Sequence, residues 1–203
     1  MATKVGVINK ALVHLGQPPM AGPSDTSTWV KRVTSVYVET VRSLLEQHPW
    51  NFPAERAELA RLDEEPVGRD YAYNKPADCL RLNLVNTTGY PDDVSFTDYE
   101  DEGGRILADA DAIYAFYIGS GWMTKEGSWP QVFADAVSAE LSSVCAPIAS
   151  KSVNKGESMY AKAQRALKRA KSFDASQKPW RELPAGKWSR ARRTGARYNT
   201  EGH

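Results

Sequence analysis

No feature constrains this chain more than the stop written into Leu44-Leu45-Glu46-Gln47-His48-Pro49-Trp50-Asn51-Phe52. Proline lacks the backbone donor a helix needs and disfavours helical geometry in the residue before it, so an amphipathic helix must end at Pro49. Two large aromatics follow at once. Rings of that size bury much area, so Pro49, Trp50 and Phe52 are read as a structural elbow filling the core at the helix exit, in preference to a direct partner contact. An earlier stretch, Leu15-Gly16-Gln17-Pro18-Pro19, ends another helical run in a similar way. The chain therefore opens with two helices joined by a loop rich in Pro, Gly, Ser and Asp.

Hydrophobic periodicity extends this reading. Val5, Ile8, Ala11, Leu12 and Leu15 recur at three- and four-residue steps and predict a first helix over Lys4 to Leu15, with Gly16 as its cap. Trp29, Val33, Val36, Tyr37, Thr40, Val41, Leu44 and Leu45 predict one long second helix over Ser27 to His48, capped from within Asp25 to Ser27. A third is expected over Trp129 to Ala149, striped by Phe133, Val137, Leu141, Val144 and Ile148, with Pro147 distorting its end. The fourth covers Lys155 to Phe173, with Met159, Ala163, Leu167 and Ala170 inward and its lysines and arginines mostly outward.

Between the helix pairs the period changes to two. Cys79 to Val85 alternates, with Leu80, Leu82 and Leu84 assigned to one face. Arg105 to Ala108 and Ala112 to Ile118 also read as strands, the second central because it is apolar on both faces. Turn signals at Asn86 to Asp93 and at Glu102-Gly103-Gly104 leave no room for crossover helices, so the strands should run antiparallel. The predicted fold is mainly α with a β insertion (α+β). It takes the form of a four-helix bundle with a small antiparallel sheet, Pro53 to Gly121, between the helix pairs. Residues 1–177 make one domain and residues 178–203 an extended tail.

Composition enters where it excludes something. At 203 residues and 41% hydrophobic content the chain can bury a core without staples. Its longest apolar stretches fall short of the roughly 20 residues that cross a bilayer, and its start lacks the marks of a signal peptide, so no membrane segment is expected. Cys79 and Cys145 are then expected reduced, as small hydrophobes.

Charge is unevenly placed. From Lys178 onward seven basic residues face two acidic ones, a net +5; the whole chain carries +1, which leaves −4 for residues 1–177. Trp180, Arg181, Trp188, Arg190, Arg192, Arg193, Arg197 and Tyr198 lie in this tail. Trp and Arg anchor interfaces more often than other residues, so the tail is read as an interaction segment. Contact with nucleic-acid phosphates, or a terminus that binds nothing, are the other readings.

Catalytic signals are sparse. His14, His48 and His203 have no spacing that pairs them with each other or with the cysteines as metal ligands. His48 is read as complementing a helix end. Asp92-Asp93 and the run Asp98 to Glu102 lack the ordered spacing of a calcium loop and are read as solvated turns. Neither glycine cluster, Gly103-Gly104 or Gly119-Ser120-Gly121, continues as a phosphate-binding loop, and Ser120 has the spacing of no nucleophile elbow. No catalytic residue, cofactor site or metal site is assigned.

Asn9-Lys10-Ala11-Leu12 with Leu15-Gly16-Gln17-Pro18-Pro19, then Tyr37 to Leu45 leading into Trp50-Asn51-Phe52, resembles the opening of the tail tubular protein A family, the head-to-tail adaptors of short-tailed bacteriophages. Arg56-Ala57, Tyr73 to Arg81, Ile106-Leu107-Ala108-Asp109 and Trp129-Pro130 continue the resemblance in order, over most of residues 3–172. It implies a structural virion protein, made in the host cytoplasm and resident at the head–tail junction. Members form a homo-oligomeric ring of about twelve copies, closed by head-to-tail contacts. The ring sits under the portal protein and carries a tail nozzle protein (tail tubular protein B-like), and phage DNA passes through its channel. By this analogy the tail residues become portal-docking candidates. That role is inferred from the residues themselves, because Trp180, Trp188 and Tyr198 among arginines depart from the family's pattern. The alternative is a nucleic-acid-binding module using the basic tail.

Overall fold

The computed structural model describes residues 1–177 apart from positions 23, 65, 91–94 and 150–152. Its helices are α1 (Lys4–His14), α2 (Thr28–Ser35), α3 (Tyr37–Glu46), α4 (Gln131–Ala149) and α5 (Val153–Ser176). Between α3 and α4 lie β1 (Ala54–Glu58), β2 (Tyr71–Asn74), β3 (Cys79–Asn86), β4 (Tyr99–Glu102), β5 (Arg105–Ala108) and β6 (Tyr114–Gly119). Two short 3-10 turns, Ser120–Thr124 and Glu126–Ser128, lead into α4.

The α+β class agrees with this architecture, but the four-helix bundle does not. In place of a bundle around a shared axis, α4 is a hub that packs against α5, α1, α3 and α2. Ten of its residues are buried, among them Phe133, Ala136, Val137, Leu141 and Cys145. That is why α4 is apolar nearly all round, enough to match a membrane span by length and composition. Pro147 lies in its last turn, where the helix continues to Ala149.

The long second helix is also corrected, because it forms as two segments. Val36 sits at φ −97°, ψ −1°, outside regular helical geometry, and separates α2 from α3. Val33-Thr34-Ser35-Val36 is a run of weak helix formers, and the Ser35 hydroxyl donates to the Arg32 carbonyl, competing for a helix acceptor. At α1 the signals hold locally. The Thr3 hydroxyl accepts from Gly6 N at 3.0 Å. At the other end Gly16 takes φ +74°, while Gln17 N donates to the Leu12 carbonyl.

The single sheet is corrected to two, each antiparallel and three-stranded, ordered β1-β6-β3 and β2-β5-β4. As expected of a strand apolar on both faces, β6 is central. It lies between two cores: Ile118 belongs to the helical core with Trp50, Leu45 and Phe133, while Ala115 and Tyr117 join Tyr73, Ile106 and Ile113 in a second core. On β3 the alternation is reset twice, since Leu80 and Asn83 fall at register shifts against β6. An extra residue turns the following side chains to the opposite face. Leu80 accordingly packs on the helical core and Leu82 on the second, contrary to the one-face expectation.

Candidate functional site

The elbow joins α3 to β1 and fixes the position of α5. Trp50 is 1% exposed, and its indole Nε1 donates to the Leu44 carbonyl at 2.7 Å. Its ring meets Phe133 edge-on with centroids 5.0 Å apart and His48 at 4.8 Å. Phe52, half-buried, packs on Phe133 at 4.9 Å and Trp122 at 5.8 Å. Pro49 itself is exposed. The aromatic cluster thus draws on residues from either side of the sheets, locking the helix exit to the start of α4.

Polar bonds complete the joint. Asp174, in the last turn of α5, is 2% exposed, and its carboxylate accepts from Asn51 N at 2.8 Å and Phe52 N at 3.2 Å. Asn51 Nδ2 donates to the Asp174 carbonyl and carboxylate, each at 2.9 Å. A buried carboxylate is tolerable because N–H donors take the place of its water. From β3, Arg81 Nη1 donates to the Glu46 carbonyl at 2.6 Å and so caps the C-terminus of α3.

Beside the elbow a groove opens along α3, α4 and α5, with a volume of about 250 Å³. Glu39 and Leu44 line it from α3, Glu140 and Val144 from α4, and Gln164 and Leu167 from α5. Leu44 and Leu167 are buried while Val144 is 48% exposed, so the interior is apolar with a partly open wall. Burial pushes the Glu140 carboxyl above its ordinary range.

The sheets carry an acidic patch that is already paired. Arg69 Nη1 reaches Asp98 at 2.8 Å and Asp109 at 3.0 Å, and its Nε reaches Glu100 at 3.1 Å. Asp70 N also donates to Asp109, and these bonds hold the Asp109 carboxyl below its usual range. Asp101 meets Lys75. Three of the four acids in the run Asp98 to Glu102 are therefore ion-paired, on two cations, and the patch keeps a net negative charge; Asp92 and Asp93 lie outside the described residues.

Reactive groups are quiet. Cys79 and Cys145 are free, and burial raises both thiols, which disfavours the nucleophilic thiolate. His14 is half-buried with its Nδ1 unsatisfied, far along the sequence from His48 at the elbow. Among the described residues no group of three or more His, Cys, Asp or Glu side chains is placed to hold a metal ion.

Sequence reasoning placed Pro49, Trp50 and Phe52 at one joint but missed Asn51, Arg81 and Asp174, which hold it. Asp174 follows Ala163, Leu167 and Ala170 at steps of four, three and four, a spacing that puts it on the buried face of α5. The tail candidates Trp180, Arg181, Trp188, Arg190, Arg192, Arg193, Arg197 and Tyr198 lie outside the described residues. Compared with known proteins, the chain matches no protein-family model and no curated protein.

Proposed function

We propose that this chain is a structural adaptor subunit, one copy of a ring that joins a phage portal to a tail nozzle and lets DNA pass through its centre. The observation that carries the reading is the ordered series of motifs from Asn9 to Trp129 that resembles the tail tubular protein A family. Two of its members, the Gly16 helix stop and the Pro49-Trp50-Asn51-Phe52 elbow, are joints in the fold. Around them a packed helical hub and two small sheets offer rigid surfaces suited to repeated side-by-side contacts. Such a subunit needs no reaction centre. In this reading the Trp- and Arg-bearing tail reaches the portal once the ring assembles.

Negative-stain imaging of the purified protein mixed with its portal tests the proposal. Rings seated on the portal are expected, and their absence at every tested concentration would end the adaptor reading. A second reading rests on the +5 tail, which suits a nucleic-acid-binding module. Filter binding to duplex DNA across a salt series separates the two. Strong free-state affinity that falls steeply with salt favours the second.

A further inference from the structure

The groove along α3, α4 and α5 combines two properties. It presents apolar surface from Leu44, Val144 and Leu167, and it presents the carboxylates of Glu39 and Glu140. Neither carboxylate has an ion-pair partner among the described residues, although eight ion pairs form elsewhere. Glu140 is half-buried, a setting in which an unpaired carboxylate is costly. The volume of about 250 Å³ lies below the usual range of ligand pockets and suits one large side chain. The chemistry it would accept is an aromatic ring with positive charge close by in sequence.

The chain carries such a segment. Trp188 is preceded by Lys187 and followed by Arg190, Arg192 and Arg193. Chain length selects it over Trp180. From Leu167 to the end of α5 at Ser176 is about 14 Å of helix that any returning segment must retrace. Trp180, four residues past Ser176, spans at most about 14 Å, all of it used by that return with no chain left to make the turn. Trp188, twelve residues past Ser176, spans up to about 40 Å and reaches the groove with slack.

We propose that in the free subunit this groove holds the chain's own C-terminal segment, with the Trp188 indole against Leu44, Val144 and Leu167 and the arginines of 190–193 facing Glu39 and Glu140. The idea is independent of the adaptor reading, since a subunit that never forms a ring would still hold its tail there. Where a partner does take the tail, it must first draw it from this seat.

The test uses the full chain with a photo-crosslinking phenylalanine analogue in place of Trp188. After irradiation and digestion, mass spectrometry should find crosslinks to α3, α4 or α5 groove residues. In mixtures of isotopically heavy and light protein, those crosslinks should join peptides of the same label at a yield independent of concentration. Glu39→Lys with Glu140→Lys should abolish them. So should Arg190→Glu, Arg192→Glu and Arg193→Glu together, a change in the tail that cannot be dismissed as unfolding of the helical core. Crosslinks between differently labelled chains, crosslinks confined to another surface, or a yield unmoved by the tail reversal would overturn the proposal.

Discussion

The carboxylate of Asp174 accepts the backbone N–H groups of both Asn51 and Phe52, so the last turn of α5 is fastened to the elbow that ends α3. Residues more than 120 positions apart in sequence thereby share one buried hydrogen-bond set. Removing the carboxylate strands two amides and leaves the Asn51 side chain only its bond to the Asp174 backbone carbonyl. Asp174→Ala should therefore destabilise the fold by about 3 kcal/mol, from lost charge-assisted bonds and unsatisfied donors. Asp174→Asn keeps one acceptor oxygen and should cost less. Urea unfolding followed by circular dichroism measures both, and an Asp174→Ala midpoint equal to the parent's would refute the assignment.

Trp50 supplies the apolar half of the same joint. It is 1% exposed and touches Phe133, Phe52 and His48. Trp50→Ala should cost about 3 to 5 kcal/mol through the cavity it leaves. Trp50→Phe retains much of the ring but loses the Nε1 bond to the Leu44 carbonyl, and should cost about 1 to 2 kcal/mol. The ordering of the two variants in chemical denaturation is the check: equal losses would mean that the ring contributes nothing beyond its hydrogen bond.

How far the sequence discloses this arrangement depends on the range of the forces involved. The ends of α1 and the Phe133, Val137 and Leu141 part of the α4 stripe are legible because caps, prolines and a 3.6-residue period act locally, whereas Val144 and Ile148, assigned to the same stripe, are exposed. β1 was not. Ala54-Glu55-Arg56-Ala57-Glu58 consists of good helix formers and becomes a strand only because β6 offers it a backbone edge. The resets on β3 at Leu80 and Asn83 likewise arise from pairing with β6, which no alternation of apolar residues announces. Asp174 left a faint trace, an acid in the last turn of a helix where the dipole disfavours it. The groove left none, since its lining comes from three helices separated in the chain.

Arg69 gathers Asp98, Glu100 and Asp109 around one guanidinium. Arg69→Ala should leave those carboxylates facing one another without a cation and loosen the β4 edge of its sheet. Amide hydrogen exchange should quicken across β4 and β5 while the helical core stays as protected as before. Arg69→Lys should recover only part of the protection, because a lysine ammonium cannot make the forked contacts. Uniform exchange rates across parent and variants would show the cluster to be energetically idle.

His14 gives the fold a pH dependence with a definite sign. Burial, then the charges of Lys162 and Lys10, hold its pKa below the ordinary value of 6.5, while Asp135 opposes them. In the unfolded chain His14 takes up a proton as the pH falls through about 6.5, whereas in the fold it resists doing so until lower pH. Its contribution to stability is therefore whole above that pH, declines as the pH falls towards the folded pKa, and levels off below it. His14→Gln removes the titration. The difference in urea midpoint between parent and variant should thus shift against the parent between pH 7 and pH 5. A difference that stays constant over that interval, or moves the other way, would contradict the buried and disfavoured imidazolium.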